Sequence, residues 1–264
     1  MITNNEKKQT EIDPTELGEI FYTNNKKLSY SYETYYAFSY YSFFKSYILP
    51  LLPADKKVKI FDVGCGGGYL LYALREEGYL NCCGIDSSKK QIDIAKEKMD
   101  CVELADAFGY LPAHQKEFDV ITLIDVAEHL NRDDLFKLLK MINMALRPGG
   151  ILILHTLNGL SPFTRPFFFG DPTHQQIYSF KIVGEYALLA GFKEYHEFPA
   201  IPERFPKAKS IDSVKAFVRF LLKIIRWFLW HLMSRVYGLI EWIAVGTYRR
   251  FYTPNFIIVC KKST

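Results

Sequence analysis

Between residues 58 and 158 the chain alternates short, nearly unbroken apolar runs with amphipathic stretches. The runs at 58–63, 81–86, 101–104, 118–125 and 150–156 predict strands, and the stretches at 69–77, 88–99 and 133–146 predict the helices between them. Strands that are apolar on both faces and joined through helices belong to a parallel sheet covered on both sides. Further on, 179–190 closed by Gly191 predicts a helix, 192–199 a strand and 255–261 a last strand, which makes seven. The first 28 residues are polar and lack periodicity. An aromatic run from Tyr30 to Phe44 follows and ends at Leu49-Pro50-Leu51-Leu52-Pro53, which predicts one or two helices stopped by proline. The expected organisation is a helical cap over 1–57, an α/β domain over 58–202 plus 251–264, and a helical insertion over 203–250.

Charge sharpens that division. The net charge of +4 hides an excess of acid before residue 203, while 203–250 carries 10 Lys/Arg against 3 Asp/Glu. A basic excess confined to one segment points to a local anionic partner. Within it, 216–246 is apolar and holds all three tryptophans, Trp227, Trp230 and Trp242. Lys215, Arg219, Lys223 and Arg226 share one helical stripe. The longest run free of charge, 227–234, is far short of the roughly 18 apolar residues of a membrane span. The expectation for 211–246 is a helix lying in the plane of an anionic membrane surface; the competing reading is a helix packed on the domain or in a dimer. Cys65, Cys82, Cys83, Cys101 and Cys260 are odd in number, form no Cys-x-x-Cys pair and follow no secretory leader pattern. A reduced, cytoplasmic setting without structural zinc is expected.

The ends of the predicted strands carry the unusual residues, where ligands of open α/β sheets bind. Asp62-Val63-Gly64-Cys65-Gly66-Gly67-Gly68-Tyr69 directly follows a strand and opens a helix. Its glycines allow a tight turn and a close approach of ligand to backbone. A dinucleotide site is the rival, but its fingerprint needs a third small residue where this chain has Tyr69.

The spacing Asp-x-Gly-x-Gly-x-Gly resembles motif I of class I methyltransferases, and the resemblance extends over 58–158. It implies a Rossmann-like, seven-stranded sheet, mostly parallel with an antiparallel last strand, and S-adenosylmethionine as the cofactor. It further implies that the loop with Gly64, Cys65, Gly66 and Gly68 cradles the methionine part and that Asp62 helps to hold its ammonium. Asp86, followed by Ser87, would accept from the ribose hydroxyls, and Asp106-Ala107 would sit by the adenine, with Asp125 closing the site at the fourth strand. A cationic cofactor without phosphate suits carboxylates at the loop.

Asp125, Glu128 and His129 crowd the end of the fourth strand, and Glu128-His129-Leu130 is similar to small-molecule and quinone O-methyltransferases. His129 is the first candidate base, with Glu128 as its orienter. Asp125, Glu128 and His129 are also the candidate set for a divalent ion, as in some relatives, although no metal is expected. Gly170-Asp171-Pro172-Thr173-His174 resembles the Asp-x-Thr-His box of methyltransferases of bacterial surface-polysaccharide pathways, with Tyr178-Ser179 and Ala190-Gly191-Phe192 in step. Gln175 departs from the glutamate common there. Asp171 and His174 are therefore candidates to bind or deprotonate a sugar hydroxyl; the plainer alternative is a turn that Asp171 caps and His174 braces.

Together these features favour O-methylation of a sugar hydroxyl in a surface glycan or its lipid-linked precursor, on the cytoplasmic face of a membrane. A quinone or other lipid-soluble phenol is the second enzyme reading, and a scaffold that keeps the fold without catalysis is the third. No Asn-Pro-Pro-Tyr-like box is present, and no nucleic-acid partner is expected.

Overall fold

A computed structural model describes residues 41–200, 213–246 and 253–264. Most of the expected N-terminal cap (1–40) lies outside the described residues, as do 201–212 and 247–252. Seven strands form one sheet: β1 (Ile60–Val63), β2 (Cys82–Asp86), β3 (Val102–Leu104), β4 (Phe118–Ile124), β5 (Leu146–Leu157), β6 (Phe192–Ala200) and β7 (Asn255–Lys262). Their order is β3-β2-β1-β4-β5-β7-β6. The first five pair in parallel, and β7 runs antiparallel between β5 and β6. Every predicted strand is present.

Helical turns over 41–51 stop before Pro53, as the aromatic run predicts, and the α-helices that follow are α1 (Tyr69–Glu76), α2 (Lys89–Ala95), α3 (Ala107–Tyr110), α4 (Arg132–Ala145), α5 (Arg165–Phe168), α6 (Phe180–Leu189) and α7 (Val214–Val245). Helix α4 shows how patterning becomes packing. Asn131 accepts from the Asp134 amide at 2.9 Å and starts the helix. Leu135, Leu138, Leu139 and Ile142 then fall on one stripe and are all buried. Each such side chain contributes roughly 1.5–3 kcal/mol.

That stripe joins Phe61, Val63, Ile121 and Leu123 on one face of the sheet, while Ile60, Val120 and Ile153 meet Leu70, Leu71, Leu74 and Ile92 on the other. Strand β1 is thus buried on both faces, with Asp62 the one polar residue among its four. Two boundaries differ from the pattern. Helix α2 ends at Ala95 rather than 99. Strand β5 begins at Leu146, where the sequence suggests helix, because Arg147 precedes Pro148 and the ring disfavours helical backbone before it. Between β6 and β7 the chain runs through α7, a single helix of 32 residues.

Candidate active site

Beyond the carboxyl ends of β1, β2 and β4, where the strand order switches direction, lies a cavity of about 500 Å³. The glycine turn forms its floor. The amides of Gly64 and Cys65 both donate to the carbonyl of Ile85, and the Gly66 amide donates to Asp86 Oδ2 at 2.8 Å. Asp86 also accepts the Ser88 amide through Oδ1, so one carboxylate ties the turn to the start of α2. Gly64 has φ of 73°, and a Cβ there would run into Val126. No side chain fits that position without displacing the wall of the site.

Of the residues singled out from the sequence, Asp62, Gly64, Cys65, Gly66, Asp86, Ser87, Asp106, Ala107, Asp125 and His129 line this cavity. Gly68 does not. It starts α1 with φ of 76°, and a Cβ there would press on Ala95 and Met99, so it serves helix packing. Asp106 caps α3 through the Gly109 amide while still facing the cavity. Phe44, Tyr69, Gln91, Phe108, Thr173 and Gln175 also line it, although the sequence does not mark them as site residues. Tyr69 had entered only as a mismatch to the nicotinamide pattern, and Thr173 sat unweighted between Asp171 and His174.

The lining includes four carboxylates, Asp62, Asp86, Asp106 and Asp125, and no Lys or Arg among the described residues. Asp62 is 2% exposed, and burial, aided by the charge of Asp86, pushes its carboxyl up to about 7 although the Thr122 hydroxyl donates to it at 2.6 Å. A buried acid held in that state gains most from a cation brought beside it. A phosphate would meet only repulsion here. The carboxylates and the glycine turn therefore fit a cationic nucleoside that carries no phosphate.

On the acceptor side the side chains pair differently from expectation. Asp125 has φ of 54°, in the left-handed region that aspartate enters more readily than most side chains. His155 Nδ1 meets it at 2.6 Å, and Asn255 Nδ2 donates to His155 Nε2, which leaves the ring proton on Nδ1. Glu128 is buried, takes a 2.7 Å bond from the Thr156 hydroxyl, and does not line the cavity. Burial, then the charge of Asp125, raises its carboxyl to about 8. Glu128 is thus not the orienter of His129; its backbone carbonyl instead anchors the amides of Gln175 and Gln176. With Asp125 on His155, Glu128 on Thr156 and His129 on Thr173, the three do not converge as a metal site. No metal-holding group of three occurs among the described residues.

The orientation of His129 comes from the loop after β5. Asp171 Oδ1 accepts both the amide and the hydroxyl of Thr173, at 2.8 and 2.5 Å. Thr173 Oγ1 lies 2.9 Å from His129 Nδ1. A hydroxyl has one proton, and here Asp171 receives it, so Nδ1 must be the donor to Thr173. Neutral His129 consequently keeps its lone pair on Nε2. Burial, then the neighbouring His174, lowers the pKa of His129 below the usual 6.5, which keeps the ring neutral near pH 7. Asp171 and His174 do not line the cavity themselves. His174 bonds the Phe168 carbonyl through Nδ1, packs on the Phe168 ring, and stands 4.7 Å from the His129 ring.

A glycine cradle, a carboxylate-lined cavity at the switch point and a neutral imidazole in its wall fit a domain that takes a cationic nucleoside. Residues 35–197 match the model of the family described as methyltransferase domain, and the chain belongs to that family. The domain is an S-adenosylmethionine-dependent methyltransferase domain. Among curated relatives, the ubiquinone biosynthesis O-methyltransferase of Pelagibacter ubique is 35% identical over 108 residues, which cover 39% of this chain and 43% of that protein. The enzyme of the same name from Thiobacillus denitrificans is 36% identical over 106 residues, 38% and 44% of the two chains. The chain thus matches less than half the length of these relatives. Among solved structures, a SAM-dependent methyltransferase from Archaeoglobus fulgidus superposes with a TM-score of 0.61 at 21% identity, covering 84% of this chain and 93% of that one. Phosphoethanolamine N-methyltransferase 2 of Haemonchus contortus, in complex with S-adenosyl-L-methionine, gives 0.54 at 18% identity, over 97% of this chain and 59% of the other. At such identities the likeness is one of fold. These curated relatives are named for quinone chemistry, and the surface-polysaccharide part of the resemblance has no support from them.

Proposed function

We propose that the chain O-methylates a phenolic hydroxyl of a lipid-soluble, quinone-type acceptor, with His129 Nε2 taking the proton. The observation that carries the chemistry is the chain of bonds from Asp171 through Thr173 to His129, which fixes the ring with its lone pair on the unengaged nitrogen. Bound S-adenosylmethionine supplies a methyl carbon already activated by the positive sulfur. The carboxylates around Asp62 and Asp86 hold that cation, and the Gly64 turn lets it approach the backbone. The acceptor hydroxyl would face that methyl group, and its proton would pass to His129 Nε2. The acceptor class is supported by the names of the curated relatives and by the similarity of Glu128-His129-Leu130 to quinone O-methyltransferases.

A sugar hydroxyl is the second reading, favoured by one observation: the Asp-x-Thr-His loop contributes Thr173 and Gln175 to the cavity wall. The readings separate by acidity, since a phenol ionises near pH ~10, far more readily than an alcohol. Methyl transfer is measured with a catechol-type quinol, nucleotide sugars and lipid-linked glycans, using the wild type and His129→Gln. Quinol methylation that falls on the order of 10²-fold but persists in the variant supports the proposal. Methylation of sugars alone, abolished in the variant, replaces it with the second reading.

A further inference from the structure

Helix α7 presents three different surfaces around its circumference. Phe220, Ile224, Trp227, Ser234 and Gly238 recur at helical spacing and are half-buried or buried, and Trp230 beside them packs its ring 4.6 Å from Phe163 of the catalytic domain. Round the other side, from Phe217 through Leu221, Ile225, Val218 and Leu229 to Met233, the helix is 43–52% exposed, and exposed Arg235 shares the angular position of Phe217 at its edge. At 3.6 residues per turn this apolar face spans roughly half the circumference and is centred away from the packed stripe. Lys215, Arg219 and Lys223, all exposed, follow one another at intervals of four and fall on a flank between the packed and apolar faces. Arg226 lies on the same side, and Glu241 is the helix's single acid.

We infer that α7 docks the enzyme onto an anionic membrane surface, lying in its plane with the apolar face among the acyl chains and the basic flank at the level of the headgroups. The layout matches the depth profile of a bilayer edge: apolar below, cations beside, protein above. Charge complementarity selects lipid over a second copy of the chain. Two such helices placed face to face bring up to ten cations together with two acids between them. No helix among the described residues is long and apolar enough to cross a membrane, so the contact is peripheral. The helix is about 48 Å long at ~1.5 Å per residue. This inference stands whichever hydroxyl is methylated.

The full chain is tested by sedimentation with vesicles of phosphatidylcholine containing or lacking phosphatidylglycerol, at low and high salt, and by tryptophan emission. We expect binding that requires the anionic lipid, weakens with salt and shifts the emission to the blue. Lys215→Glu/Arg219→Glu/Lys223→Glu lowers vesicle affinity by about a hundredfold or more, at about 1 kcal/mol per cation lost. Ile225→Glu/Leu232→Glu, on the exposed apolar face, abolishes the blue shift. Calorimetry with S-adenosylhomocysteine on each variant checks that the fold is intact and keeps failure of docking distinct from failure of the methyltransferase reading. Binding indifferent to anionic lipid and to the charge reversals overturns the inference, as does a stable dimer that ignores vesicles and is broken by Ile225→Glu/Leu232→Glu.

Discussion

His129 shows how a single proton decides the chemistry. Because Thr173 gives its only proton to Asp171, the imidazole is held as the tautomer with a free Nε2. Methyl transfer should therefore fall as the pH drops through a value below 6.5, since protonation removes the acceptor lone pair. Thr173→Val should shift the acid limb of the kcat profile and lower kcat by about tenfold, with S-adenosylhomocysteine affinity unchanged. In the proposed function Asp62 holds the cofactor's cation. Its buried carboxyl, raised to about 7, is stabilised by a cation, so Asp62→Asn should weaken S-adenosylmethionine binding at pH 8 by on the order of tenfold or more, read by calorimetry. The sequence identified Asp62, Asp86 and His129, because strand ends and residue chemistry are local. It did not reveal the bonding partners Thr173, His155 and Thr156, because they lie 28–44 positions away in the chain.

Among the elements, glycines report how closely the parts approach. Gly184 of α6 lies against the Tyr195 ring of β6, and a Cβ there would overlap that ring. Gly109 of α3 has no atom within 4 Å of such a Cβ and no positive φ. The same substitution should thus have opposite signs. Gly184→Ala should cost about 1–3 kcal/mol by overpacking, whereas Gly109→Ala should gain about 0.4–1 kcal/mol by restricting the unfolded chain. Urea unfolding of the two variants checks the contrast. The periodicities of 69–76 and 132–145 were legible because one stripe of each helix is apolar and the other polar. For α7 the pattern announced a helix but not which of its apolar residues would be covered, since apolar side chains lie both on the packed stripe and on the exposed face.

Across the whole molecule, ionisation and ligand binding both act on stability. Asp62 and Glu128 have folded-state pKa values near 7 and 8, raised mainly by burial. Carboxyls raised in this way favour the fold while protonated, and that stability is lost as pH rises through the raised values. Without ligand, the chain should therefore unfold in less urea at pH 9 than at pH 6, and Glu128→Gln should flatten the decline. S-adenosylhomocysteine at 100 times its Kd should add about 2.7 kcal/mol, a gain that a tenfold weaker Asp62→Asn should cut to about 1.4 kcal/mol at equal ligand concentration.

From the chain alone came the α/β class, the seven strands, the glycine turn with its carboxylates and the basic character of the late helix. All of these rest on periodicity, charge and residue type over short spans. The fold itself determined that Asp171 bonds Thr173 rather than lining the cavity, that Glu128 turns into the core, and that one face of α7 is left outward. Hydrogen-bond partners and exposed faces depend on which distant segments the sheet order brings together. The return of the chain through β5, β6 and β7 sets those distances, and no local pattern encodes them.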